Sequence, residues 1–417
     1  MSFNTSNLTC VVIGASHAGV NFAFALRGQG WEGRIMMFDS DPEFPYHRPP
    51  LSKKYLTITS QEDTQHDVLF PKENYETDNI SLSLGKNVTN INRKTKSIFL
   101  SDGSVQRYDK LILATGARAF IPPIKGIENA TNIFSIRNAQ DAIDIKKAIK
   151  DSLRKRVVII GGGYIGLETA ASLKKIGAEV TVLEREERVL SRVTAPEMSV
   201  FFTELHSQNN VSILVNKNVV SINSLDAGSE VICDDNTSFK ADILIIGVGV
   251  KVNTELAEQA GLEIDNGIKV DASGKTSDDD IYSVGDCTYH FNPSYRRFIR
   301  LESVQNAVDQ AKVAAAAVCG KAVTYDTIPW FWSDQYDVKL QMVGLSQGYT
   351  ETIKRIEPDK EKCMSVWYFK DDELLAVDAV NNAKAYVLGT RFIQNKQKID
   401  KSKLADVSIS IKPTSFL

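Results

Sequence analysis

At 417 residues the chain is long enough for about three domains. Its 43 % hydrophobic and 24 % charged residues are those of an ordinary globular protein and argue against disorder, collagen and coiled coil. Lys and Arg total 49 against 52 Asp and Glu, a formal charge of −3, which argues against bulk nucleic-acid binding and leaves room only for a local basic patch.

The N-terminal MSFNTSN runs into an apolar strand with no basic region or cleavage site, so no signal peptide is expected. The next stretch, residues 8–41, reads as a βαβ unit of the dinucleotide-binding type: an apolar strand, the turn GASHAG, a helix-period stretch and a second strand ending in acid. Gly14, Ala15, Ser16, Ala18 and Gly19 make the turn, with Ser16 where a middle glycine usually stands. The acid lies 25 residues after Gly14 if it is Asp39, but Ser40 and Asp41 compete for the role. Taken alone, this unit reads as a nucleotide site, with a packing turn as the alternative. KLILATGAR (110–118) adds a strand running into Ala114, Thr115 and Gly116.

The same unit recurs at 156–186 with a stronger motif. Gly161, Gly163 and Gly166 form GxGxxG between strand and helix, where glycine permits a tight turn, close approach of backbone to a pyrophosphate, and close helix–strand packing. Glu184, 23 residues after Gly161, ends the next strand, where a carboxylate accepts both ribose hydroxyls and repels a 2′-phosphate. NADH is therefore expected over NADPH, a preference softened by nearby Arg185, Arg188 and Arg192. DILIIGVGV (242–250), with Gly249, and IYSVGD (281–286), with Gly285 and Asp286, are further strands ending in glycine turns.

Residues 301–319 carry small or apolar side chains at Val304, Ala307, Val308, Ala311, Ala315 and Val318, a helical spacing stopped by Gly320. Just before it, YRRFIR (295–300) is locally basic; with Lys312 it is either a docking patch or a solvated face. The remainder holds the strand-like runs KLQMVGL, MSVWYF and LLAVDAV and then a helical stretch. The expected organisation is one nucleotide domain at 1–116 and 245–325, a second at 117–244 inserted in it, and a C-terminal α+β domain at 326–417.

Cys10, Cys233, Cys287, Cys319 and Cys363 form no CxxC or CxxxxC pair, against a thiol–disulfide couple or a zinc ribbon. His17, His47, His66, His206 and His290 show no ligand spacing, so no metal site is expected. No apolar run approaches the ~20 residues of a membrane span, and a cytoplasmic protein is expected.

PYHRPPLSKKYL (45–56), LATGAR (113–118), GGGYIGLE (161–168), LSRVTAPEMS (190–199), YSVGDC (282–287), RLESVQNAVDQA (300–311), PWFWSDQY (329–336) and AVDAVN (376–381) occur in that order. Together they resemble the NADH-dependent, FAD-containing ferredoxin reductases of bacterial oxygenase systems, over nearly the whole chain. The resemblance implies an α/β, glutathione-reductase-like fold of two Rossmann-like domains plus a C-terminal α+β domain. It implies FAD as cofactor and NADH as co-substrate, with hydride passing to FAD and single electrons to a 2Fe–2S ferredoxin that supplies a haem monooxygenase or Rieske dioxygenase. The alternative readings are a rubredoxin reductase, an NADH oxidase, or an NADH-binding signalling flavoprotein like apoptosis-inducing factor. A monomer is the default expectation, with a weak dimer as the alternative.

Residue by residue, the resemblance puts the Gly14–Gly19 turn against the FAD pyrophosphate and Asp39 or Ser40 at its ribose. Arg48 and Lys53 reach the cofactor, Lys53 beside the ring; Val88 meets the adenine end and Arg137 the isoalloxazine side. Asp286, after Gly285, accepts from the ribityl chain, and Val304 lies at the pyrimidine edge behind Glu302 and Ser303. Ala114, Thr115 and Gly116 belong to the same cofactor site. Tyr164, Ile165, Arg192 and Gly249 join Gly161, Gly163, Gly166 and Glu184 at the nucleotide. A lysine or a glutamate is expensive to bury alone, so Lys53 and Glu168 are expected to pair beside the flavin. Trp332 is expected to stack near the nicotinamide or to line the electron exit. RPPLSK replaces the cysteine pair of disulfide reductases, so electrons leave to an external acceptor, for which Arg296, Arg297, Arg300 and Lys312 are the candidate docking residues.

Overall fold

The structure is a computed structural model describing residues 5–58, 67–358 and 360–416; His66 lies outside them. The chain separates into two compact units: Met1–His47, Gln65–Arg118 and Lys251–Pro329 form the first, Arg48–Thr64, Ala119–Val250 and Trp330–Leu417 the second.

In the first unit the strand Thr9–Ile13 is buried along its whole length, as an apolar run must be when both faces of a parallel sheet are covered. It pairs in parallel with Arg34–Phe38 on one side and Lys110–Leu113 on the other. Ile281–Ser283 and Ile80–Ser83 complete the five strands at the two edges. The strand order reverses at Thr9–Ile13, which opens a crevice beyond its carboxyl end, where the GASHAG turn begins. Helix His17–Gly28 packs on helix Val304–Val318 through small side chains, Ala18, Ala307, Ala311, Ala314 and Ala315 among them.

The Val304–Val318 helix lies where the apolar spacing places it, with Ala307, Ala311, Ala315 and Val318 buried, and its buried face also takes in polar residues. Val304 and Val308 are only partly buried, whereas the polar Asn306 and Gln310 are buried and hydrogen-bonded. Alanine lets the two helices approach closely, and the adjoining face is given to polar contacts with neighbouring turns.

The second unit repeats the parallel sheet. Arg156–Ile160 is central, between Glu179–Leu183 and Ile243–Ile246, with Ser212–Leu214 and Ile133–Phe134 at the edges. Helix Tyr164–Lys175 follows the central strand at the reversal point. A five-stranded sheet, antiparallel throughout, runs Trp330–Gln335, Val338–Gly344, Glu373–Val380, Met364–Lys370, Glu351–Ile356. Its buried Arg355 donates to the carbonyls of Leu404, Asp406 and Ile409 and so ties the C-terminal segment to the sheet. Among the described residues no helix is long and apolar enough to cross a membrane.

Asp378 of the AVDAVN run is buried in this sheet and accepts from the Tyr368 hydroxyl at 2.5 Å. Tyr368 in turn accepts from the backbone N–H of Ala195, at the start of helix Pro196–Gln208. Desolvation pushes the Asp378 carboxyl up from 3.8 to about 7, against the lowering pull of the tyrosine hydrogen bond. Between those two values the folded state holds a proton that the unfolded state has lost, so this group makes stability fall as pH rises through the window. In Asp378→Asn that slope is absent: its stability relative to wild type should increase from pH 5 to pH 8 in equilibrium unfolding. A difference constant across that range would contradict the assignment.

Candidate functional site

The two glycine turns are built by the same bonds. Gly14 N–H donates to Phe38 O and Gly161 N–H to Leu183 O, both at 2.8 Å. Each turn is then gripped by the acid that follows the second strand. Asp39 accepts from Ala15 N–H at 2.5 Å and Asp41 N–H at 2.8 Å. Glu184 accepts from Gly162 N–H at 2.6 Å and Glu186 N–H at 2.9 Å. Of the three residues competing at the first strand end, Asp39 is therefore the geometric counterpart of Glu184.

The glycines divide into those the protein needs and those it does not. A Cβ on Gly14 would stand 2.2 Å from Ala114 O, on Gly19 1.9 Å from Gly14 O, on Gly161 2.4 Å from Gly247 O and on Gly166 2.1 Å from Gly161 O. Gly163, in contrast, has an ordinary φ of −80°, and a Cβ there would meet nothing within 4 Å. Neither backbone nor packing asks for glycine at that position; the open space in front of it does, and it fits a pyrophosphate. Ser16 occupies the matching position with φ −100°, so serine is accommodated without strain. Neither helix N-terminus carries a side-chain cap, at Ser16 or at Gly163, and the positive end of each helix favours an anion. The donor sets thus suit two dinucleotides.

Around the second turn, Ile165 is exposed at the helix start, and the Tyr164 hydroxyl contacts Met342 Sδ at 2.7 Å. Burial raises the Tyr164 hydroxyl well above its usual range, so it stays protonated. Arg188 is used up inside the loop, donating to Thr194 O, Ser199 Oγ and Ser191 O. Arg185 pairs with Glu186, and Arg192 is exposed. Phe120 N–H donates to Gly249 O.

Lys53 and Glu168 meet. Lys53 Nζ lies 2.7 Å from Glu168 Oε2, the lysine side chain 20 % exposed and the glutamate 2 %. Ser52 Oγ donates to the same oxygen at 2.6 Å, and Ser333 Oγ donates to Oε1 at 2.6 Å. The Pro49–Ser52 turn presents the serine and lysine, and Ser172, one helical turn beyond Glu168, donates to Ser52 O. The two serines were not foreseen, although both stand next to residues that were: Ser52 before Lys53 in RPPLSK, Ser333 after Trp332 in PWFWSDQY.

Trp332 does not join this cluster. Alternation along Trp330–Gln335 turns Ser333 and Gln335 to one face, and Trp330 and Trp332 to the other. The two indoles are 5.6 Å apart, with Tyr386 at 6.5 Å from Trp330. Arg48 and Arg137 do meet: Arg48 Nη1 donates to Arg137 O at 2.8 Å, and Asp141 fixes Arg137 N–H at 2.7 Å.

In the first unit, Thr115 Oγ1 donates to Asn253 O, and Asn253 N–H donates to Gly116 O. Gly285 has φ +85°, and a Cβ on it would lie 2.8 Å from Ala18 Cβ, so the Gly285–Asp286 turn closes onto the first helix. Gln310 holds that turn through Gly285 N–H at 2.8 Å, a contact that apolar periodicity could not reveal. Ser303 caps the following helix through Asn306 N–H, with Val304 as its first residue. Val88 is buried in the core that includes Phe38. Arg296 is exposed, Arg297 lies over the Tyr295 ring, Arg300 pairs with Glu302, and Lys312 is exposed on the Val304–Val318 helix. Among the described residues no group of three or more His, Cys, Asp or Glu is placed to hold a metal ion.

The pyridine nucleotide-disulphide oxidoreductase family matches residues 8–311, and the reductase C-terminal family matches 330–415. The chain is 40 % identical to putidaredoxin reductase CamA of Pseudomonas putida over 98 % of its own length and 96 % of that protein's. It is 34 % identical to the anthranilate 1,2-dioxygenase system ferredoxin–NAD(+) reductase component of Burkholderia cepacia, over 96 % and 98 %. The solved covalent putidaredoxin reductase–putidaredoxin complex superposes with a TM-score of 0.91 at 40 % identity, covering 97 % of each chain. With both nucleotide turns, both family matches and full-length relatives in agreement, the chain belongs to the pyridine nucleotide-disulphide oxidoreductases, in the branch of ferredoxin reductases that carry the reductase C-terminal domain.

Proposed function

We propose that this protein is an FAD-dependent NADH:ferredoxin oxidoreductase whose acceptor, a 2Fe–2S ferredoxin, supplies an oxygenase. The observation that carries the reading is the duplicated turn-and-carboxylate geometry, one helix start without a side-chain cap and one strand-end acid for each dinucleotide. FAD, when bound, supplies the chemistry of accepting a hydride and returning electrons singly. Residues 1–116 and 245–325 are assigned to FAD, residues 117–244 to NADH, and 326–417 to a C-terminal domain.

Within that reading, Gly14, Ser16 and Ala18 face the FAD pyrophosphate and Asp39 its ribose. Arg48, Val88, Arg137, Asp286 and Val304 serve the remainder of the cofactor. Gly161, Gly163 and the first turn of Tyr164–Lys175 bind the NADH pyrophosphate, and Glu184 its adenosine ribose. Lys53 and Glu168 hold a fixed pair of charges at the reacting end, and Trp332 lines the exit for electrons. The arginines of 296–300 and Lys312 attract an acidic ferredoxin by charge. The protein is read as a cytoplasmic monomer.

The test is a spectrum of the purified protein followed by anaerobic addition of NADH, with and without a 2Fe–2S ferredoxin. A flavin absorbance that bleaches with NADH and recovers as ferredoxin is reduced is the expected result. Bleaching that recovers only with oxygen would favour an oxidase, and a colourless protein that takes up no FAD would overturn the reading.

Glu184 carries the nucleotide preference. Glu184→Ala should raise KM for NADH and narrow the gap to NADPH by about tenfold, the scale of one lost charged hydrogen bond. An unchanged NADH/NADPH ratio in steady-state kinetics would remove Glu184 from the ribose site.

A further inference from the structure

Glu168 is the inner end of a longer buried chain. Ser333 Oγ donates to Glu168 Oε1 at 2.6 Å, and Gln335 Nε2 lies 3.2 Å from Ser333 Oγ. Gln335 Oε1 lies 2.8 Å from His206 Nε2, and the Tyr336 hydroxyl lies 3.3 Å from His206 Nδ1. Ser333, Gln335 and His206 are 0 %, 1 % and 0 % exposed. Tyr336, at the bend between Trp330–Gln335 and Val338–Gly344, is partly exposed and lines a surface depression with Lys174, Lys175 and Lys362. A continuous polar path thus runs from the Lys53–Glu168 pair to the surface through residues that nothing above required.

The protons from Glu168 as far as His206 Nε2 follow by elimination. A carboxylate can only accept, so the single Ser333 proton goes to Glu168. Ser333 must then accept from Gln335, which presents its NH2 group there and its carbonyl oxygen to His206. A carbonyl oxygen cannot donate, so His206 carries its proton on Nε2. Its Nδ1 faces the Tyr336 hydroxyl, a group that can donate or accept. Burial decides between the two, lowering the His206 pKa from its ordinary value against the raising effect of Gln335, so the imidazole is neutral and Nδ1 accepts from Tyr336. Every donor in the path therefore points toward Glu168, and such aligned bonds polarise one another in one direction.

We propose that Tyr336, His206, Gln335 and Ser333 form a one-way hydrogen-bond relay that aims the Glu168 carboxylate from behind, with His206 as its positioning residue. Lys53 and Ser52 occupy one carboxylate oxygen, and the relay occupies the other. Glu168 then cannot turn about its terminal bond without breaking one set or the other. Because Gln335 is an amide, the relay orients charge and is not a path for proton conduction. The inference rests on the oxidoreductase reading for its effect on hydride transfer, but not for its proton assignments.

The test has two arms on the FAD-loaded protein. Histidine-selective 15N NMR should find His206 neutral, with its proton on Nε2; a proton on Nδ1, or on both nitrogens at neutral pH, would overturn the relay. Anaerobic rapid mixing with NADH should find the limiting rate of flavin reduction about tenfold lower in Ser333→Ala and His206→Leu. NADH affinity and the rate of ferredoxin reduction should remain those of wild type, and Ser333→Thr, which restores the hydroxyl, should recover the rate. Wild-type reduction rates in Ser333→Ala, or in His206→Leu, would also overturn the proposal. If NADH fails to reduce even the wild-type flavin, the oxidoreductase reading fails, and the NMR arm still decides the relay.

Discussion

The second unit is organised around one buried negative charge. Glu168 is 2 % exposed on a helix otherwise packed with alanine, leucine and threonine. A carboxylate taken out of water costs several kcal/mol unless it is paired and its lone pairs are filled. The donors come from far along the chain: Lys53 and Ser52 from the turn after Pro49, Ser333 from the first strand of the C-terminal sheet. This requirement gives a physical reason why Arg48–Thr64 and Trp330–Leu417 group with Ala119–Val250. Each supplies part of the solvation that the glutamate has lost.

The two nucleotide turns illustrate the opposite kind of constraint, one settled locally. A strand, a turn, a helix and a second strand ending in acid contain all the bonds that shape the crevice. The pairing of Asp39 with Ala15 and of Glu184 with Gly162 spans only one supersecondary unit. The same solution therefore arises twice, and it tolerates serine at the one position where backbone and packing leave the side chain free.

That difference decides what was legible in the sequence. The two turns and the strands flanking them could be read from motif spacing, and the Lys53–Glu168 pair from the family resemblance together with the cost of burying lone charges. Asp39 could be told from Ser40 only once the carboxylate was seen to fold back on the turn. Ser333, Gln335 and His206 gave no local signal, because their partners lie up to 165 residues away. Apolar periodicity found the Val304–Val318 helix but could not show that Asn306 and Gln310 are buried for their hydrogen bonds while two valines stay half out. Strand alternation separates Trp332 from Ser333, a distinction that adjacency in PWFWSDQY conceals.

A double-mutant cycle on Lys53 and Glu168, read by equilibrium unfolding, tests most directly whether the buried charge governs this unit. Lys53→Met alone leaves the carboxylate without its cation and should cost about 3 kcal/mol. Glu168→Gln added to it should recover much of that loss, giving a coupling of about 2 kcal/mol between the two sites. Additive effects, with Lys53→Met no less stable in the presence of Glu168 than in its absence, would contradict the claim that the structure is built to accommodate this charge.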